Sequence, residues 1–211
     1  MKHNVLTLKN IFMAVCSFVM IFCLFLSISG CSQANEEKDG SQFDENGLFV
    51  SEDMSYSELK EYYSRDKEIS LNDAEGKLAQ MDITGEDDAT YRVAVQKVEG
   101  SEKYEPCIEF YLISSGDEDS RHIERIHGAA VTVTTDQDEA VFLGDLACWL
   151  RENNKIEYSL NGDFYEADKI KEAVVCEAEY SRTKAQIHYL TTAEVNNKDA
   201  EYIDAHEFIM L

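Results

Sequence analysis

Basic residues are scarce in this chain of 211 residues. Lysine and arginine together number 19, against 42 aspartates and glutamates, so the formal net charge is -23 at pH 7. The electrostatic field of so negative a protein repels phosphate backbones and anionic lipid head groups, and we therefore expect no nucleic-acid partner. It favours cationic partners and divalent ions. A strongly acidic surface also keeps proteins apart in solution, so charge alone identifies no ligand.

Recognisable catalytic motifs are also missing. The sequence contains no G-x-S-x-G, S-x-x-K or P-loop pattern. His122 and His127 are five residues apart, whereas the zinc-protease motif needs two histidines four apart on a helix. Cys148 and His188 are the residue types of a nucleophile and its base, but Cys148 precedes Trp149 in an apolar run that is typical of a buried thiol. We expect no cofactor.

Long apolar runs are confined to the N-terminal region. Two lysines precede an uncharged run from Ile11 to Leu26, and Ile28-Ser29-Gly30-Cys31 follows it. This order of basic, apolar and small residues is typical of a secretory signal peptide. The last four residues resemble the lipobox of bacterial lipoproteins. The resemblance covers residues 1–31 and implies cleavage behind Gly30 and a diacylglycerol on the sulfur of Cys31.

An uncleaved membrane anchor is the alternative, because about 20 apolar residues are enough to cross a bilayer. Both interpretations place the rest of the chain outside the cytoplasm. The two lysines precede the apolar run and no acid precedes Glu36, and this charge distribution keeps the N-terminus in the cytoplasm. The lipoprotein resemblance implies a protein held on the extracytoplasmic face of a bacterial membrane through Cys31. Two or more acyl chains would make that attachment stable.

Composition divides the chain into three parts. Residues 1–30 are the predicted lipoprotein signal peptide. Residues 31–47 are the lipidated cysteine and a flexible acidic tether, in which Phe43 is the only large apolar residue. A tether of this length has a root-mean-square reach of roughly 20 to 24 Å. Residues 48–211 are predicted to form a single β-rich extracytoplasmic domain.

Three cysteines remain in that domain: Cys107, Cys148 and Cys176. Three cysteines permit at most one disulfide, which leaves one free thiol. All three have apolar neighbours, which favours buried free thiols. One disulfide is the alternative in an oxidising compartment. No C-x-x-C pair is present, so we expect no metal site from these residues.

Alternation with a period of two dominates the domain and predicts mainly β structure. The predicted strands are Lys67–Leu71, Lys77–Thr84, Tyr91–Val98, Cys107–Ser114, His122–Thr135, Lys155–Leu160, Asp163–Ala167, Val174–Tyr180, Ala185–Thr192 and Tyr202–Met210. Short strands with close turns and few helices predict an antiparallel β-sandwich or an open barrel with one or two short helices.

Two segments carry helical spacing. The capping-box pattern Ser55-x-x-Glu58 predicts a helix over Tyr56–Arg65. Large apolar residues recur at helical intervals in Ala140–Arg151, which favours a helix there too. Gly144 in the middle of that segment argues against a helix and leaves a strand as the alternative.

Pairing of neighbouring strands yields two predicted hairpins. In the first, Val174–Tyr180 and Ala185–Thr192 flank a four-residue loop, which sets Ala178 opposite Ile187 and Cys176 opposite Tyr189 on the core side.

In the second predicted hairpin, Asn161-Gly162 is a two-residue turn. That register sets Tyr158 opposite Tyr165 and Glu157 opposite Glu166. Two carboxylates side by side repel, so a divalent cation or a basic group would be needed to relieve them. Glu157 and Glu166 are therefore weak candidates for a metal site.

The same hairpin gives the predicted ligand-binding residues. Tyr158, Phe164 and Tyr165 beside Asn161 would form an exposed aromatic ledge that stacks a sugar ring or holds a peptide. The alternative places Tyr158 and Tyr165 in the core and leaves only Phe164 protruding, because aromatic strand residues usually pack.

Calcium is a candidate partner because acidic clusters occur in predicted loops: Glu86–Asp88, Asp117–Asp119 and Asp136–Glu139. None matches the twelve-residue calcium loop, and solvated turns are the alternative.

Two classes of function fit this sequence. The first is a lipid-anchored surface module that binds a peptide, glycan or envelope protein without catalysis, which the absence of a catalytic motif favours. The second is a cell-envelope hydrolase in which two carboxylates facing one cleft act as acid and base.

Overall fold

The computed structural model describes residues 43–81, 83–86, 89–101, 103–116, 120–133, 140–170, 174–192, 195 and 200–211. In chain order its elements are β1 (Leu48–Val50), α1 (Tyr56–Asp66), α2 (Leu71–Gln80), β2 (Thr90–Lys97), β3 (Pro106–Ser115), β4 (His122–Val133), β5 (Ala140–Arg151), β6 (Lys155–Glu166), a 3-10 turn (Ala167–Lys169), β7 (Val175–Ser181), β8 (Lys184–Leu190) and β9 (Glu201–Met210). Among these residues no helix has the length and apolar character that a membrane crossing requires.

The strands form two antiparallel sheets. One has the order β1-β2-β3-β4 and the other the order β7-β8-β5-β6-β9. Their facing sides share one apolar core, in which the ring centroids of Phe110 on β3 and Tyr158 on β6 lie 6.2 Å apart. The prediction of a mainly β antiparallel fold with two short helices is confirmed.

Both helices pack on the other side of the four-stranded sheet. Leu59 of α1 and Leu78 of α2 are buried there against Tyr91, Val93 and other strand residues. Helix α1 begins as predicted, because the Ser55 side chain accepts a hydrogen bond from the Glu58 amide while the Glu58 carboxylate accepts one from the Ser55 amide. The four-stranded sheet is thus covered on both sides.

The predictions of strands at Lys67–Leu71 and Lys77–Thr84 are wrong. The first segment connects α1 to α2, and helix α2 includes the first half of the second. Ser70 caps this helix by accepting a hydrogen bond from the Asp73 amide at 3.2 Å. Ala74 and Leu78 lie four residues apart and are fully buried. Packing of that helical stripe on the sheet outweighs the alternation in the sequence.

The helix favoured for Ala140–Arg151 is also wrong, because the segment is strand β5. It pairs with β6 along its whole length, with Arg151 opposite Lys155 and Gly144 opposite Gly162. The chain reverses between them at residues 152–154, where Glu152 and Asn153 have φ of 49° and 59°. Asn161-Gly162 therefore lies inside a strand, and the predicted hairpin turn at that dipeptide does not exist.

The β7–β8 hairpin has the predicted register, with Ala178 opposite Ile187 and Cys176 opposite Tyr189. Its turn is shorter than predicted, because Ser181 and Lys184 are themselves paired. The three domain cysteines are free thiols. Cys107 and Cys148 are buried as expected, whereas Cys176 is exposed because β7 is the edge strand of its sheet.

Candidate functional site

The structure buries all three rings of the predicted aromatic ledge. Tyr158 and Phe164 are fully buried, and Tyr165 is 4% exposed. Of the four predicted ligand-binding residues only Asn161 is exposed, and its side-chain amide donates a hydrogen bond to the Tyr202 hydroxyl at 2.8 Å. The predicted ledge is therefore not formed. The reason is that β6 is an inner strand: Tyr158 and Phe164 point into the core with its other even-numbered side chains, whereas Tyr165 is buried on the opposite side of the strand.

The weak metal candidates Glu157 and Glu166 are not brought together. They lie on one strand and oppose Trp149 and Ala140, respectively. Glu157 accepts hydrogen bonds from His206 at 2.7 Å and Arg151 at 2.8 Å, which hold its pKa below the ordinary value. Glu166 is paired with Lys103 at 2.7 Å, which lowers its pKa as well.

The described residues contain no group of three or more histidines, cysteines or acids that could hold a metal ion. His122 bonds the Ser115 hydroxyl at 3.0 Å, and the buried His127 lies 3.5 Å from the Glu86 carboxylate. Most of the acidic clusters proposed for calcium lie outside the described residues. Glu86, which is described, is paired with Arg125, whose hydrogen bond lowers the pKa of Glu86.

Cys148 and His188 do not form a nucleophile and base. Cys148 is buried in the shared core, and this burial raises the pKa of its thiol. His188 lies on the opposite side of the sheet, where its Nδ1 is 2.5 Å from the Asp145 carboxylate.

Carboxyl groups suited to general-acid work need a raised pKa. Among the described residues, every carboxyl group whose pKa departs clearly from its ordinary value has it lowered instead; these groups are Asp44, Glu58, Glu86, Glu157 and Glu166.

The side of the five-stranded sheet that points away from the shared core carries the largest set of exposed apolar side chains. We call this side the outer face. It is formed by the alternate residues of its strands, among them Asp145, Trp149, Arg151, Lys155, Glu157, Asn161, His188, Tyr202, His206, Phe208 and Met210. Tyr202, Phe208 and Met210 are each more than half exposed.

An aromatic row crosses this outer face. Trp149 lies opposite Glu157, and Glu157 lies opposite Phe208, so the two rings flank one carboxylate on three adjacent strands. Directly opposed side chains are about 4.5 to 5.5 Å apart at Cβ. The Arg151 guanidinium lies 5.8 Å from the Trp149 ring, and Lys155 Nζ lies 3.9 Å from the Phe208 ring. The row thus combines apolar ring surface with charged hydrogen-bonding groups.

A polar row lies farther along the same face. Asp145 is opposite both His188 and Asn161, and Asn161 is opposite Asp204. Because sequence reasoning treated β5 as a helix and β6 as a hairpin, it missed both rows. The alternation of Tyr202, His206 and Phe208 in the predicted last strand was the signal that would have found one edge of the face.

Comparison of the chain with models of protein families, with curated proteins and with solved structures found no match.

Proposed function

We propose that the chain is a lipid-anchored extracytoplasmic module that binds a glycan on its outer face without catalysis. The observation that carries this proposal is the aromatic row on a sheet side that the two helices leave uncovered, in which Phe208 is exposed and Trp149 and Glu157 are partly exposed.

The chemistry of this face matches a sugar polymer. Sugar rings present apolar C–H surfaces that pack on aromatic rings, and their rims carry hydroxyl groups that donate and accept hydrogen bonds. Phe208 and Tyr202 supply exposed rings. Glu157, His206 and Asn161 supply acceptors and donors between them. Binding sites commonly combine apolar surface with a few placed polar groups in this way.

A protein partner fits the face less well. The cores of protein interfaces are depleted in charged residues. Here the Glu157–Arg151 ion pair and the hydrogen-bonded side chains of Asp145 and His188 lie on the same face as the exposed apolar side chains. Desolvating these charges against a flat protein surface would be costly. A hydroxyl-rich ligand can keep them hydrogen-bonded.

The predicted lipid anchor would hold the domain at the extracytoplasmic membrane surface. The lipobox resemblance implies that Cys31 lies at the membrane surface. Phe43 packs on Phe49 of the domain, so the tether is the segment between Cys31 and Phe43, with a reach of roughly 17 to 20 Å. The acidic surface repels anionic head groups, so the domain stands away from the membrane and the outer face stays open to envelope polymers.

Binding of the full-length chain in detergent to immobilised envelope polysaccharide tests the proposal. The Trp149→Ala and Phe208→Ala variants are expected to bind about tenfold more weakly, since stacking of a ring contributes about 1.4 kcal/mol. Leu71→Ala is the control, because Leu71 is an exposed apolar residue on α2, away from the outer face. Binding of both ring variants at the strength of the control would overturn the proposal.

A further inference from the structure

A second candidate surface lies at the edge of the sandwich, beside β9. It is a groove of about 790 Å³ between β9 and the loops that flank β1, β2 and β3. Its apolar side chains are Leu48, Val98, Phe208, Ile209 and Met210. We call it the edge groove.

Strand β9 offers an unused backbone edge along this groove. It is the last strand of the five-stranded sheet, and within the described residues it pairs with β6 alone. It is ten residues long, Glu201–Met210, which is about 33 Å of strand. An edge strand presents unpaired N–H and C=O groups to which an extended chain can add.

The rim of the groove is acidic. Asp44, Glu45, Glu99, Glu105 and Glu207 line it, and Lys97 is the one basic residue among its lining side chains. Lys97 Nζ already lies 4.8 Å from the Phe43 ring.

Asp44, Glu45, Glu99 and Glu207 are available to an incoming cation. In the part of the chain that the structure describes, no lysine or arginine is paired with Asp44, Glu45, Glu99 or Glu207. Asp44 accepts hydrogen bonds from the amides of Asn46 and Leu48, and Glu207 accepts one from the Tyr158 hydroxyl at 2.9 Å. Neither arrangement neutralises the carboxylate.

We propose that the edge groove binds a basic, extended peptide segment, which adds as a strand to β9 and directs lysine or arginine side chains to the acidic rim. The backbone edge supplies sequence-independent hydrogen bonds, the apolar floor receives alternate side chains, and the rim selects positive charge. The groove shares Phe208 with the aromatic row but includes neither Trp149 nor Glu157, and the proposal does not depend on glycan binding.

The charge pattern excludes two other occupants. The tether of this chain carries Glu36, Glu37 and Asp39 against Lys38, so it has the sign of the rim. A second copy of β9 would bring Asp204 and Glu207 against the same carboxylates. Like charges on directly opposed strand residues are destabilising.

The test uses the full-length chain in detergent and three labelled probes: the peptide Lys-Val-Lys-Thr-Lys-Val, its glutamate counterpart, and the basic peptide N-methylated along both backbone edges. The basic peptide is expected to bind about tenfold more tightly than either of the others, because only it combines positive charge with a complete hydrogen-bonding edge. Equal binding of the N-methylated peptide would overturn strand addition.

Paired variants separate the groove from general attraction to an acidic protein. Glu99→Gln with Glu207→Gln removes two rim charges from exposed side chains and keeps the acceptor for Tyr158. Glu61→Gln with Glu177→Gln removes two exposed charges elsewhere. The first pair is expected to weaken basic-peptide binding about tenfold, and the second to leave it within about twofold. Equal losses would overturn the proposal.

Hydrogen exchange gives a readout that needs no variant. Saturation with the basic peptide is expected to slow amide exchange in Glu201–Met210, and protection confined to other strands would overturn the assignment. The Trp149→Ala variant is expected to bind the basic peptide as the wild type does. If the wild-type protein binds glycan but not the basic peptide, the groove proposal alone is rejected. If it binds the basic peptide but not glycan, the aromatic-row proposal alone is rejected.

Discussion

Gly144 on β5 and Gly162 on β6 lie directly opposite each other and let the two strands approach beneath the Phe142 ring. A Cβ on Gly144 would lie 2.6 Å from the Gly162 Cα and against the Asn161 carbonyl oxygen. A Cβ on Gly162 would lie 2.8 Å from the Gly144 Cα and against the Leu143 carbonyl oxygen. The pair fixes the register that places Trp149 opposite Glu157.

Gly162→Ala is therefore expected to destabilise the fold by about 3 kcal/mol, since the new methyl group meets backbone atoms that cannot move aside easily. Urea unfolding measures this loss. Gly76→Ala on α2 is the control, because a Cβ there meets nothing within 4 Å. It is expected to stabilise the protein by about 0.5 to 1 kcal/mol. A Gly162 variant as stable as the wild type would contradict the close approach.

The salt bridge of Glu157 predicts a pH-dependent contribution to stability. Hydrogen bonds from His206 and Arg151 lower the pKa of Glu157 from 4.5. A carboxylate with a lowered pKa in the folded state stabilises the protein above its unfolded pKa, and this contribution is lost as the pH falls through the folded value.

Glu157→Gln is thus expected to lower the melting temperature slightly at about pH 7 and to have no effect at about pH 3. Repulsion between opposed glutamates would have predicted the reverse, a gain from this substitution. Thermal unfolding at both pH values distinguishes the two, with Glu61→Gln as the exposed control. A gain in stability near neutrality would show that Glu157 faces another negative charge.

A buried ion pair joins α1 to the four-stranded sheet. Lys67 Nζ lies 2.6 Å from the Glu109 carboxylate, which is 3% exposed and accepts a hydrogen bond from the Tyr111 hydroxyl at 2.9 Å. Lys67→Met leaves that carboxylate buried without a cation and is expected to cost about 3 kcal/mol. Lys103→Met, which breaks the exposed pair with Glu166, is expected to cost at most about 1 kcal/mol. Equal shifts in melting temperature for the two variants would refute this difference.

Local signals in the sequence predicted those parts of the fold whose causes are local. The Ser55 capping box and the β7–β8 register are determined by neighbouring residues, and both predictions are confirmed. Strand β5 was misassigned because its apolar spacing also fits a helix, and only pairing with β6 and β8 selects the strand. Asn161-Gly162 was misassigned because Gly162 is required by the distant Gly144 and not by a turn. The outer face depends on both strands, so only its edge on β9 could be predicted from the sequence.

Lipidation of Cys31 remains a prediction from the lipobox. Cys31→Ser is expected to lose both fatty-acid labelling and signal cleavage in a bacterial host, whereas Cys176→Ser, which changes an exposed thiol in the domain, is expected to retain both. Labelling with radioactive fatty acid and the migration of the protein on a gel measure the two properties. Persistent labelling of the Cys31 variant would place the lipid elsewhere.

Trp149 is the only tryptophan in the chain and lies in the aromatic row, so its fluorescence reports directly on that surface. Titration of the full-length chain with soluble envelope oligosaccharides is predicted to change its emission in a saturable way, and Phe208→Ala is predicted to weaken the response about tenfold. Saturable binding of the oligosaccharide with no change in Trp149 emission would contradict the assignment of the outer face as the binding surface.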